Sequence, residues 1–208
     1  MAARNVDAPP APTWDLRDLY ESPEDPAWEK DLLASVERAG RFQAERRGLG
    51  GRDPSSRSAA EFTAALTEYE SIQEQGLKPF LYASLLFSED TQNSRFQGLL
   101  QKAKEQWNEL ENRLLFFRLA IIALPDETLK SFLAHEPLRP YEHAISFLRR
   151  FRPYTRAEKE EEILSRKNLT GRSAFVNLFD EYTGSFTFRL EVEGEEREFT
   201  GPQMLSFL

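Results

Sequence analysis

The sequence contains no cysteine and only two histidines. Without a thiol there can be no disulfide, no thiolate zinc site and no cysteine nucleophile. Histidine is the commonest catalytic zinc ligand, and here it is nearly absent. His135 lies in Ala-His-Glu-Pro and His143 in Tyr-Glu-His-Ala, with Pro137 and Pro140 between them. They cannot share one helical turn, and no H-E-x-x-H occurs. His135 reads as a helix C-terminal residue placed for the dipole, and His143 as a half-buried helix residue. There is no G-x-S-x-G elbow. Gly48 to Ser56 (GLGGRDPSS) is glycine-rich, but no Lys-Ser/Thr follows and no strand precedes, so it reads as a plain loop rather than a phosphate cradle. The longest apolar run, Leu114–Leu124, is broken by Arg118 and is about half of the roughly 20 residues a bilayer requires. A basic excess is missing too. With 27 basic and 35 acidic residues the net charge is −8, which argues against nucleic acid and against anionic membranes as partners. The opening MAARNVDAPPAPT has no apolar core of a signal peptide. Its first 12 residues read as a flexible arm, and the expected location is cytoplasmic.

What is present is helix. Phe96, Leu100, Ala103, Trp107, Leu110, Leu114, Phe117, Ile121 and Leu124 recur at alternating spacings of four and three, one apolar stripe of an α-helix. The spacing predicts a helix over about 91–124, roughly 50 Å long. Between Gln101 and Glu111 the remaining positions are polar and are expected to meet water. From Leu114 the sequence LLFFRLAIIAL is apolar nearly all round, so that end is expected to be wrapped by other helices.

The other elements follow in order. Trp14, Leu16, Leu19 and Tyr20 form a short segment pinned by large side chains. Asp25-Pro26 opens a first helix with Trp28, Leu32, Val36 (or Ser35), Ala39 and Phe42 as its stripe. Ser58 and Glu61 make a capping box. Phe62, Leu66, Tyr69 and Ile72 continue in phase through Pro79 to Phe87, as a kinked helix or two stacked ones, antiparallel to the long helix. Pro125 ends the long helix. Shorter helices are expected from Asp126 to Ala134, from Tyr141 to Phe151, from a capping box at Thr155–Glu158 to about Lys167, and from a Thr170 cap to Gly184. Then the period changes to two at Phe186, Phe188, Leu190 and Val192, and Glu193-Gly194 turns the chain into a hairpin over about 185–200. QMLSFL reads as a helix begun and not finished. The expected fold is mainly α, an antiparallel helical bundle around the long central helix with a C-terminal β-hairpin. The expected division is 1–12 arm, 13–184 helical domain, and 185–208 hairpin plus the start of a helix.

Chemistry-bearing groups are few. Glu160–Glu162 and Glu195-Glu196 are runs, which read as solvated faces. Arg149, Arg150, Arg152 and Tyr154 form a basic and aromatic cluster around Phe151. It could grip a carboxylate such as a peptide terminus, or pair with acidic side chains on adjacent helices.

Several stretches, taken together, resemble the N-terminal region of oligoendopeptidase F-type zinc metallopeptidases, relatives of thimet oligopeptidase. They are Trp14-Asp15-Leu16-x-x-Leu19-Tyr20, then Tyr82-Ala83-Ser84-Leu85-x-Phe87-Ser88-x-Asp90-Thr91. Next comes Leu148-Arg149-Arg150-Phe151-Arg152-Pro153, followed by Glu160–Leu164, Lys167–Phe175 and Leu178–Glu181. The hairpin with Phe186, Phe188, Gly194, Thr200 and Leu205 agrees. The resemblance implies a parent enzyme that hydrolyses short peptides with zinc held by a downstream H-E-x-x-H helix and a later glutamate. None of those residues exists in this chain, so no catalytic or metal residue is carried over, no cofactor is expected in it, and alone it is expected to be inactive. It implies the non-catalytic helical part forming one wall of the channel that admits peptides, with short peptides and its own downstream catalytic domain as partners. A freestanding helical module that binds a peptide or protein is the alternative. A self-sufficient enzyme would have to work with carboxylates and arginines alone.

Overall fold

The computed structural model describes residues 14–48, 58–192, 194–201 and 204. The arm at 1–12, most of the GLGG loop and most of the final QMLSFL segment lie outside the described residues. Helix α1 spans Pro26–Gly48, α2 Ala59–Glu89 and α3 Ser94–Ala123. Four shorter helices follow: α4 Asp126–Leu133, α5 Glu142–Arg149, α6 Glu158–Thr170 and α7 Arg172–Gly184. Strands β1, Thr187–Val192, and β2, Glu195–Thr200, pair antiparallel with Phe188 opposite Phe199. The fold is mainly α with a C-terminal two-stranded hairpin.

The three long helices form the frame. α2 runs antiparallel to both α1 and α3: Trp28 meets Pro79 while Arg38 meets Ser71, and Phe80 meets Trp107 while Phe62 meets Phe117. Where they cross, backbone comes close. A Cβ on Gly76 would lie 2.6 Å from Leu110 Cδ1 and 3.3 Å from Ser35 Oγ. That contact explains why Ser35 rather than Val36 occupies the buried stripe position of α1; Ser35 is fully buried and its hydroxyl donates to the Leu32 carbonyl at 2.8 Å.

α2 is one continuous helix with Pro79 inside it. Pro79 is buried, and Trp28 Nε1 donates to its carbonyl at 2.9 Å. The capping box is present: Glu61 N donates to Ser58 Oγ at 3.2 Å and Ser58 N to Glu61 Oε2 at 3.0 Å. Replacing Ser58 by Ala removes one half of that exchange and is expected to cost about 1 kcal/mol, read from urea unfolding.

α3 begins three residues later than the stripe suggests, because Asn93 caps it. Its side chain accepts from Arg95 N at 3.0 Å and Phe96 N at 3.4 Å. Every stripe residue except Phe96 and Trp107 is buried, and those two are half-buried. From Leu114 to Leu124 only Ala123 is exposed, so that end is enclosed by α1, α2, α4 and α5.

Several local expectations are corrected. Trp14 is 82% exposed; Tyr20 alone is buried, edge-on to Tyr82, with Leu16 and Leu19 half-buried beside it. His143 is exposed in the first turn of α5, because Ile145 takes the inward position. The cap of α6 is not at Thr155, whose hydroxyl bonds back to the Phe151 carbonyl; Ala157 is the cap, and Glu160 accepts its N–H at 3.0 Å. α7 starts from Gly171 rather than Thr170, since α6 continues through Thr170. A Cβ at Gly171 would lie 2.8 Å from the Lys167 carbonyl, so only glycine lets the chain pass from one helix into the next here.

Candidate functional surface

The sequence marks the segment after α3 as its cluster of arginines, and the structure gives those residues different degrees of burial. Arg149 packs inward, with a side chain only 11% exposed, and its guanidinium donates to the Leu124 carbonyl and to Asp126. It ties the end of α3 to α4 and α5. Arg152 sits 3.9 Å from Asp126, while Arg150 is exposed and Tyr154 is 79% exposed. Arg149 and Arg152 thus share the Asp126 carboxylate, which is the pairing with an acidic side chain that the sequence offers as the alternative to a peptide terminus. Replacing Arg149 by Leu strands the buried Leu124 carbonyl and is expected to cost about 1–3 kcal/mol. Arg150→Ala is expected to stay within about 0.5 kcal/mol in the same denaturation experiment.

A polar pocket of about 270 Å³ lies between α3 and α6. Its walls correct the expectation that the middle of α3 faces water. Asn108 Nδ2 donates to Ser165 Oγ at 2.8 Å, and Lys104 Nζ to Asn177 Oδ1 at 2.5 Å. Burial lowers the Lys104 pKa, with Asp180 and Glu181 opposing that shift. Asn112 is buried; its Nδ2 donates to Asn108 Oδ1 at 3.0 Å, and its Oδ1 has no partner. Sequence reasoning missed Asn108 and Asn112. Two asparagines a turn apart inside a helix are poor helix formers, and that is the signal that a neighbour pays them. Further along, Glu111 accepts from Gln73 at 2.8 Å and lies 3.7 Å from Arg118, and burial raises the Tyr69 pKa beside it.

Beyond α6 the surface turns apolar. Ile163, Leu164, Phe175, Leu178, Phe179 and Tyr182 on α6 and α7 are all exposed, Phe175 at 72% and Phe179 at 65%. The hairpin continues this surface through Phe186, Phe188 and Leu190. Neither α6 nor α7 has a single buried residue. They are held to the frame by polar contacts, such as Gln92 Nε2 donating to the Glu181 carbonyl at 2.8 Å.

Among the described residues no three His, Asp or Glu side chains gather where they could hold a metal ion, so the residues here do not fit a zinc site. No helix among them is long and apolar enough to cross a membrane.

The family model described as oligopeptidase F matches residues 121–188, from the end of α3 to the start of the hairpin. The chain is 27% identical over 199 residues to oligopeptidase PepF of Bacillus subtilis, covering 94% of this chain and 28% of that protein. It is 26% identical over 168 residues to the plasmid oligoendopeptidase F of Lactococcus lactis subsp. cremoris, covering 79% of this chain and 26% of that one. The fold matches the crystal structure of oligoendopeptidase-F from Enterococcus faecium with a TM-score of 0.70 at 19% identity, over 85% of this chain and 34% of that chain. The chain thus spans about a quarter to a third of the length of these relatives. It is homologous to the N-terminal region of the M3 oligopeptidases. Within that group, the part it matches is the N-terminal region of oligopeptidase F.

Proposed function

We propose that this chain is the non-catalytic helical part of a zinc-dependent oligopeptidase of the cytoplasm. It forms one wall of the channel that admits short peptides, and the zinc and its ligands belong to a downstream catalytic domain that packs against it. A helical wall beside a catalytic cleft excludes folded proteins by size, so the selection it imposes is geometric. The observation that carries the reading is the position of the uncovered apolar surface. It lies on α6, α7 and β1, largely inside the segment that matches oligopeptidase F. The outer face of the α2–α3 hairpin, where a freestanding module would hold a partner, offers fewer such side chains: Leu115 is buried and Leu99 half-buried, while Leu77 and Leu81 are exposed to the same degree as Phe186 and Phe188.

The test is the size of the native product. An antibody raised against the chain is used on an extract of the source cells. A single band several times heavier than 24.1 kDa supports the reading; a band at 24.1 kDa alone overturns it in favour of the interaction module. The purified chain is expected to hydrolyse no peptide and to hold no stoichiometric zinc by metal analysis. One tightly held zinc per chain would sink the assignment of the metal to another domain.

A further inference from the structure

A second groove, of about 610 Å³, runs beside the apolar end of α3. Its floor is Phe62 from α2 with Phe116, Leu119, Ala120, Ile122 and Ala123 from α3. Its rim carries four arginines, Arg46, Arg47, Arg152 and Arg156, against one acidic residue, Glu158. That concentration is notable on a chain with a net charge of −8. Arg46 is paired with Glu68 at 2.7 Å, and Arg47 with Glu158. The other two are not matched in this way. Arg152 has Asp126 only at 3.9 Å, and the exposed Arg156 guanidinium forms no ion pair among the described residues. The end of the groove where α6 begins therefore holds one guanidinium with no ion pair and one with only a long one, beside a floor with no charge; Glu160 and Glu161 in the same turn are engaged by the Ala157 and Arg156 N–H groups.

We propose that this groove binds a medium-chain fatty acid, with the alkyl chain on the α3 floor and the carboxylate between Arg152 and Arg156. The chemistry of the floor selects that occupant. From Phe116 to Ala123 the helix advances about 10 Å, the reach of a medium-length alkyl chain. The side chains along that path are all hydrocarbon. A peptide laid there would bury backbone N–H and C=O groups against carbon and leave them unpaired. A fatty acid has one polar group, at its end, where the arginines are. Guanidinium and carboxylate make the strong charge-assisted pair. The inference stands apart from the channel-wall reading, since its ligand is not a peptide and the groove includes none of the exposed apolar side chains of α6 and α7.

Calorimetric titration of the 208-residue chain with decanoate tests it, with octanoate, decylammonium and an N-acetylated tripeptide ending in leucine as comparison ligands. Decanoate is expected to saturate one site per chain at submillimolar concentration. Octanoate should bind about tenfold more weakly, from two fewer buried methylenes. Decylammonium, of the same length and opposite charge, should also lose about tenfold or more. Ala120→Trp fills the floor and should abolish binding. Arg156→Glu changes only an exposed side chain and should cost about tenfold even if the tryptophan variant does not fold. Equal affinity for decylammonium overturns the proposal, as does tighter binding of the tripeptide. Several weak sites that survive Ala120→Trp also overturn it, because they would report adhesion to the apolar face of α6 and α7.

Discussion

Phe117→Ala is expected to lower the unfolding free energy by about 3–5 kcal/mol. Phe117 is buried where the three long helices meet. Its ring centroid lies 5.3 Å from that of Phe42 on α1, edge to face, and 5.3 Å from Tyr69 and 6.2 Å from Phe62 on α2. Truncation loses the transfer free energy of a whole ring and leaves a cavity that three helices cannot collapse without separating elsewhere. It also removes aromatic pairs worth about 0.5–1.5 kcal/mol beyond area burial. A domain with about 5–15 kcal/mol in total cannot lose this much without a large fall in its denaturation midpoint. Phe116, one residue away, supplies the control: it is half-buried at the edge of the same cluster, so Phe116→Ala should cost clearly less. Urea unfolding followed by circular dichroism measures both. Equal costs would mean that the aromatic cluster is not the point on which the bundle closes.

The long helices were legible because a strict period of alternating threes and fours can only bury one face, and nothing in their surroundings opposes it. The stripe of α3, buried except at the half-buried Phe96 and Trp107, and the wrapped run from Leu114 agree with that logic. What could not be read was set by contacts distant in sequence. The period of α1 allows Ser35 or Val36 equally; the choice falls to Ser35 because Gly76 brings α2 too near for a larger side chain. Arg149 and Arg150 are adjacent in sequence and belong to the same basic cluster, yet one is pinned under the surface by the Leu124 carbonyl and Asp126 and the other points to water. The polar flank of α3 reads as solvated, since sequence alone does not say that α6 folds back across it. The cap of α6 lies two residues later because the Thr155 hydroxyl bonds back to Phe151, and that of α7 one residue later because Gly171 passes close to the Lys167 carbonyl. The longest stretch of the resemblance to oligopeptidase F runs over Leu148–Glu181, and that stretch lies within the residues that the family model matches. It is also the stretch whose helices bury nothing of their own. Its apolar pattern is therefore not explained by burial among the described residues, and on the proposed reading a catalytic domain covers it.

That reasoning gives the second large effect. If the chain is the helical part of a longer peptidase, as proposed, Phe175→Asp combined with Phe179→Asp is expected to leave the isolated chain nearly unchanged and to disable that enzyme. The two residues lie one turn apart on α7 and are exposed at 72% and 65%. In the isolated chain each substitution removes surface that water already reaches, so each should stay within about 0.5 kcal/mol and reduce any self-association. If the catalytic domain covers α7, each loses about 1.5–3 kcal/mol of ring burial. Each also buries a carboxylate with no partner, a penalty of several kcal/mol more. The sum exceeds what a domain interface of ordinary size can absorb, so peptide hydrolysis by the full-length enzyme should fall by orders of magnitude and its thermal unfolding should split into two transitions. Thermal melts of both proteins, together with the peptidase rate of the longer one, decide the matter. If both tolerate the double substitution equally, α7 faces solvent in the complete enzyme and the wall must be docked through some other face.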